Sequence, residues 1–201
     1  SEIAIDSNGA VHICSKVVST DGDLHYSTNA SGSWQSTTLD TTGDVGHGCS
    51  IALDSSDNIH IVYLDKTLQD FKYTTKPLAS AITYSSWSTT TIDGRDNVGT
   101  FGTMAIDTQD RLHVAYYAET EDELRYATKA SGSSTWTNTT IDTSGDAGRF
   151  ASIAVDSNDK PHIAYKEDWA DDLKYAHKIG SSWSLSTLDS SLKTGTGISL
   201  A

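Results

Sequence analysis

Hydrophobic and polar positions alternate along this chain in short runs, each closed by Asn, Asp, Gly or Ser. No segment carries a 3.6-residue repeat over the length of a helix, so the pattern predicts strands throughout. One run stands out: Ser50-Ile51-Ala52-Leu53-Asp54, a turn, then Ile59-His60-Ile61-Val62-Tyr63. It returns as Ile3-Ala4-Ile5-Asp6 with His12-Ile13, as Met104-Ala105-Ile106-Asp107 with His113-Val114, and as Ile153-Ala154-Val155-Asp156 with His162-Ile163. Two further markers keep the same phase, Tyr26, Tyr73, Tyr126 and Tyr175, and Trp34, Trp87, Trp136 and Trp183. A repeat of about 50 residues is the signature of propellers and related arrays.

Within the second repeat the pattern places strand A at 50–54, strand B at 59–63, strand C at 71–75 and strand D at 87–92. Strands A and B are nearly continuous in apolar residues, as inner strands covered on both faces are. Strand D is rich in Ser and Thr, as suits an outer strand. The predicted fold class is therefore all-β, a β-propeller of four-stranded antiparallel blades. Four repeats are expected at about 1–48, 49–101, 102–150 and 151–194, with 195–201 starting a further blade. That last segment leaves three arrangements open. The chain is a piece of a six- to eight-bladed ring, or one of two or more copies joined through the tail, or a closed four-bladed ring with a stray tail.

The formal net charge is −13, from 14 Lys and Arg against 27 Asp and Glu. This argues against nucleic acid and anionic membrane surfaces as partners. No apolar run reaches the roughly 20 residues that a membrane-spanning helix needs. Cys14 aligns with Val62, Ala115 and Ala164, and Cys49 with Gly102 and Ala151. Those are small or apolar positions, so both cysteines are expected to be free thiols that fill the core. The composition suits an extracellular or cell-surface location. Asn29-Ala30-Ser31 and Asn138-Thr139-Thr140 fit the N-glycosylation sequon.

The repeat, with Asp-Leu-Lys-Tyr-Ala in its third strand and Trp before its fourth, resembles bacterial extracellular propeller repeats of the sialidase-like (Asp-box) and propeller-lectin families. The Asp-box is met only in part, as Ser27-Thr28-Asn29-Ala30-Ser31-Gly32-Ser33-Trp34, with Asn in place of Asp. Sialidase chemistry needs three converging arginines and a Tyr–Glu pair. The arginines here are Arg95, Arg111, Arg125 and Arg149; Arg111 sits beside an A–B turn and Arg125 in strand C, so they are not expected to converge. The chain is accordingly expected to lack catalysis of its own. The lectin resemblance implies a glycan, or another extracellular ligand such as a protein, held on loops or between repeats. The alternatives are an assembly protein that self-associates through its terminal strands, and a fragment of a glycosidase-like enzyme.

His12, His60, His113 and His162 each fall in a different repeat and are expected to be structural, bonded to a nearby Asp or carbonyl. Trp34, Trp87, Trp136 and Trp183 are expected to cover the outer edge of each blade. Trp169 breaks the repeat, standing in an acidic B–C loop, and is a candidate sugar-stacking platform; Tyr117, His47 and Arg149 are the other ligand-binding candidates. No cofactor is required. The D–A connections Asp40–Gly46, Asp93–Gly99 and Asp142–Gly148 repeat an Asp-Gly motif, and on the acidic loop face Asp44, Asp96 and Asp146 are candidate calcium ligands. Ordinary turn chemistry explains the same residues.

Overall fold

The computed structural model describes residues 1–17, 22–77, 87–95, 97–191 and 197–200. They form sixteen strands in four separate antiparallel sheets, each four strands long in chain order. The first sheet holds β1 (Glu2–Ile5), β2 (Val11–Val17), β3 (Asp23–Thr28) and β4 (Gln35–Asp40); the second holds β5 (His47–Leu53), β6 (Ile59–Asp65), β7 (Asp70–Lys76) and β8 (Ser88–Asp93). The third holds β9 (Val98–Ile106), β10 (Leu112–Ala118), β11 (Glu123–Lys129) and β12 (Thr137–Asp142); the fourth holds β13 (Ala147–Val155), β14 (Pro161–Glu167), β15 (Asp172–Ile179) and β16 (Ser182–Asp189). These are propeller blades, with strands A to D of the repeat in the expected order. The first strands begin earlier than the hydrophobic pattern indicates, because the Gly-rich end of each D–A connection already pairs with strand B. The chain divides into two compact units, Ser1–Gly99 and Thr100–Ala201, which are described separately below. Of the 195–201 segment, residues 197–200 are described; they form no strand, and the Leu200 amide donates to Ser152 Oγ on β13.

In each unit the core lies between two sheets. Cys14, Leu24, Tyr26, Cys49, Ile51, Ile61 and Tyr63 fill it in the first, and Ala115, Leu124, Tyr126, Ile153, Ile163 and Tyr165 in the second. β6 and β10 are buried along their whole length, in keeping with their mainly apolar sequence. β1 departs from the inner-strand expectation: Ile3 and Ile5 are exposed.

The repeated Asp, His and Tyr form one device, built four times. The Asp carboxylate accepts the amides two and four residues on, which fixes the A–B turn: Asp6 from Asn8 and Ala10, Asp54 from Ser56 and Asn58, Asp107 from Gln109 and Arg111, Asp156 from Asn158 and Lys160. Its second oxygen faces the His Nε2, at 3.3 Å for Asp6–His12, 3.3 Å for Asp54–His60, 3.0 Å for Asp107–His113 and 3.4 Å for Asp156–His162. The other ring nitrogen meets the strand-C hydroxyl, at 2.6 Å for His12–Tyr26, 2.7 Å for His60–Tyr73 and 2.6 Å for His113–Tyr126, with His162–Tyr175 paired likewise. A neutral imidazole donating to the carboxylate and accepting from the phenol satisfies the partners in the first three copies, whereas in the fourth the His162 Nε2 is left without a hydrogen bond. Burial lowers the His113 pKa, in keeping with the neutral ring.

Two expectations need correction. Cys14 and Cys49 are not free thiols but a disulfide joining β2 to β5, with Cα atoms 6.2 Å apart. Each aligns with a packing residue of other repeats, yet the two positions face each other across the interface between adjacent sheets. Trp87 and Trp183 do not serve as outer-edge covers. Trp87 sits edge-on against Tyr26 of the preceding sheet at 5.3 Å, and Trp183 against Tyr126 at 5.0 Å, so each wedges between sheets. Trp136 is half-buried, and Trp34 is 58% exposed.

Candidate functional site

The site is built where a D–A connection meets the following B–C loop. In the second unit the connection after β12 carries Gly148 with φ 115°, and a Cβ there would lie 2.9 Å from the Leu124 Cα. Gly46 is held the same way against Leu24 in the first unit, which is why the motif ends in glycine. The strand-A register then shifts on both sides of Arg149, and Phe150 takes the left-handed conformation at φ 53°. The same shift follows His47. Such bulges turn a side chain out of the ladder, and here they deliver Arg149 and His47 to the aspartates three residues before them.

In the second unit, Arg149 Nε donates to Asp146 Oδ2 at 3.0 Å and lies 3.5 Å from Asp168 Oδ2. Its guanidinium stacks on the Tyr117 ring, 4.9 Å from the centroid. Tyr117 donates to Asp122 Oδ1 at 2.8 Å. Burial pushes the phenol pKa well up, and the Asp146 and Asp122 carboxylates push it further. Burial, the largest single influence, lowers the Arg149 pKa, but Tyr117, Asp146 and Asp168 together raise it. Glu167 closes the loop: it accepts the Asp146, Trp169 and Ala170 amides at 3.2, 3.0 and 2.9 Å. Lys166 pairs with Asp168 and with Asp171. Trp169 stands 76% exposed at the rim.

One atom in this cluster is unsatisfied. Asp146 is 7% exposed, and its Oδ1 has no hydrogen-bond partner. The nearby Tyr117 hydroxyl donates to Asp122 Oδ1. A buried carboxylate oxygen without a donor is costly, and its need is for a hydroxyl or N–H supplied from outside.

The first unit holds the equivalent cluster with different chemistry. Asp44 Oδ1 meets Lys16 Nζ at 2.6 Å and His47 Nε2 at 2.8 Å, and these two partners hold the Asp44 carboxyl below its usual range. Lys16 replaces Tyr117, His47 replaces Arg149, and Thr67 stands where Trp169 does, its hydroxyl accepting the Asp44 amide at 2.7 Å. Thus Trp169, Tyr117 and Arg149 belong to one cluster, while His47 belongs to its counterpart in the other unit. Asp44 and Asp146 act as counter-ions to basic side chains. Asp96 lies outside the described residues. Among the described residues no group of three or more His, Cys, Asp or Glu is placed to hold a metal ion. Sequence reasoning missed Lys16, Asp168 and Lys166; aligning the B strands and B–C loops across repeats would have found them.

No protein-family model matches the chain, and no curated protein sequence does. Solved structures match the fold. The chain is similar to a protein of unknown function from Dyadobacter fermentans, at 9% identity over 92% of this chain and 67% of that one, with a TM-score of 0.68. It is similar to the NanB sialidase from Streptococcus pneumoniae, at 11% identity over 93% and 51%, with a TM-score of 0.60. It is also similar to an ulvan lyase, a polysaccharide lyase bound to -[GlcA(1-4)Rha3S]-, at 13% identity over 86% and 50%, with a TM-score of 0.57. The chain spans about half to two-thirds of their lengths. The expectation of a chain without catalysis is overturned here. Enzymes share this blade architecture, so the missing arginine triad of one reaction does not make the chain a non-enzyme.

Proposed function

We propose that this chain is part of an extracellular propeller that engages carbohydrate at the Trp169–Arg149–Asp146 cluster. The observation that carries the reading is the unsatisfied Asp146 Oδ1, whose backbone amide shares the Glu167 carboxylate with that of Trp169, the residue bearing the exposed indole. A saccharide supplies what both lack: a hydroxyl to donate to the carboxylate, and a C–H face to lie on the ring. Arg149, already stacked and pre-oriented on Tyr117, adds donors for ring or hydroxyl oxygens. Two solved structures of this fold, a sialidase and an ulvan lyase bound to -[GlcA(1-4)Rha3S]-, support the substrate class. The Cys14–Cys49 disulfide supports an oxidising, extracellular compartment.

The test is titration calorimetry against a panel of oligosaccharides, with release of reducing ends followed in parallel to detect turnover. Trp169→Ala and Asp146→Asn are each expected to weaken binding at least about tenfold, equivalent to ~1.4 kcal/mol. Equal affinity in wild type and both variants, or no binding across the panel, would overturn the assignment.

A second reading, self-association, is favoured by the tryptophan wedge. Trp87 and Trp183 each dock on the Tyr of a preceding sheet, whereas Trp34 is exposed and Tyr175 is stacked only with His162 and His177 among the described ring contacts. A second copy presenting Trp34 to Tyr175 would repeat the internal contact. Light scattering over a concentration series is expected to show a mass above one chain that Trp34→Ser returns to one chain. A monomer at every concentration sinks this reading.

A further inference from the structure

The fourth strands of the second unit lead to a different cleft, lying between the third and fourth sheets at their A–B turns, with a volume of about 400 Å³. Arg111, Lys160 and Lys178 converge on it, and Ser133, Thr135 and Thr137 supply hydroxyls along its wall. In a chain of net charge −13, three cations facing one cleft call for an explanation.

The nearby carboxylates reach one of them: Arg111 pairs with Asp107 and Asp159, whereas among the described residues Lys160 and Lys178 form no ion pair with a carboxylate. Asp107 is engaged by Arg111 Nε at 2.5 Å and by His113 at 3.0 Å. Asp159 accepts from the Thr108 amide, the Thr108 hydroxyl and Gln109 Nε2, at 3.0, 2.8 and 2.9 Å, and stands 3.9 Å from Arg111 Nη2. Lys178 is half-buried with no carboxylate within ion-pair distance among the described residues; its Nζ lies 5.3 Å from the Tyr126 centroid and 5.9 Å from that of Trp183. Burial lowers its pKa first, and Arg111 and Lys160 lower it further. Like charges held together in a half-dry cleft are costly unless an anion joins them.

The repeat supplies an internal control. The position four residues after the turn Asp is Ala10, Asn58, Arg111 and Lys160 in the four repeats. In the first unit Asn58 bonds Asp54 as Arg111 bonds Asp107, and Ala10 fills the position with no side-chain donor, so the turn needs no charge there. The position of Lys178 is Lys76 in the second repeat, where the ammonium sits over Trp87 without an arginine or lysine from the two A–B turns of that unit. The stacked lysine is therefore a feature of the wedge, and the two added cations are peculiar to the second unit.

We infer that this cleft is an anion-binding site, taking an oxyanion group, carboxylate, sulfate or phosphate, between Arg111, Lys160 and Lys178, with the wall hydroxyls completing its coordination. One guanidinium and two ammonium groups lining the cleft match a tetrahedral or planar oxyanion. The site is separate from the Trp169 cluster and does not depend on it.

The test is titration of the 201-residue chain at fixed ionic strength with sulfate, phosphate and glucuronate, with glucose and chloride as controls, read by calorimetry and by the rise in melting temperature that binding to the native state brings. At least one oxyanion is expected to bind saturably and the controls not. Lys160→Glu, at an exposed position, is expected to weaken that binding at least about tenfold without lowering the unliganded melting temperature. Lys178→Met, which keeps the stacked stem, is expected to do the same. Saturation by glucuronate but not by the inorganic ions assigns the site to an acidic saccharide, and the reverse to a free anion. No saturable binding, or binding unchanged in both variants, would falsify the site.

Discussion

Replacing both Cys14 and Cys49 with alanine is expected to lower the stability of the first unit by about 3–4 kcal/mol, the loss of chain-entropy restraint on a loop of 35 residues. Alanine is the informative choice, because Ala115 and Ala164 occupy the Cys14 position in other repeats and Ala151 the Cys49 position. The sheet is thus known to tolerate it, and the cross-link is separated from packing. Both sulfurs lie in the core shared by Tyr26, Ile51 and Tyr63, so a modest cavity cost adds to the loss. For a chain of this size the change corresponds to a fall in melting temperature of roughly 10 °C. Reductant added to the wild type is expected to reproduce the shift and to leave the double variant unaffected. Thermal melts of both proteins with and without reductant check this; a variant that melts with the wild type would mean that the disulfide contributes nothing beyond packing.

The disulfide also marks where sequence reading stops. Spacing and alternation were enough for four blades, because an Asp, a His, a Tyr and a Trp in phase leave few other architectures, and each has a role inside a sheet or between neighbours. The His–Asp bond was legible because turn and strand are six residues apart. The His–Tyr bond was not, since it depends on the B–C register, which pairs His60 with Thr75 and carries Tyr73 to the ring. Contacts between adjacent sheets were hardest to foresee. Cys14 with Cys49, Trp87 on Tyr26 and Arg149 on Tyr117 are each set by how two sheets pack, and no periodicity within a repeat reports that. The site residues Trp169, Tyr117 and Arg149 were found individually through broken repetition and loop position. Their grouping came from the strand-A bulge, whose positive-φ residue is Gly48 in one repeat but Phe101 and Phe150 in others, so glycine gave no warning.

The buried triads make stability fall in two stages as the pH drops. His113 has a folded pKa below its ordinary 6.5, because burial disfavours the imidazolium more than Asp107 favours it. The unfolded chain therefore takes up the proton first, and this part of the stability is complete above pH 6.5 and declines below it. Asp107 has the opposite charge type but the same consequence. Its pKa is lowered from 3.8 to about 2: burial, the largest single influence, raises it, and the bonds from His113, Arg111 and two backbone amides together prevail. A depressed carboxylate stabilises above the unfolded value and loses that contribution as the pH falls from about 4 toward 2, here about 2 kcal/mol. Asp6 and Asp54 are lowered in the same direction and add to the second stage. Asp107→Asn puts an amide N–H where the carboxylate received two donors, leaving Arg111 and His113 without their acceptor. It is expected to cost about 3 kcal/mol at neutral pH and to flatten the melting profile between pH 4 and 2. Asp156→Asn, in the fourth copy with its side chain 35% exposed, is expected to cost far less. Melts of the three proteins from pH 2.5 to 8 distinguish the cases, and equal losses in the two variants would show that burial of the triad does not set its strength.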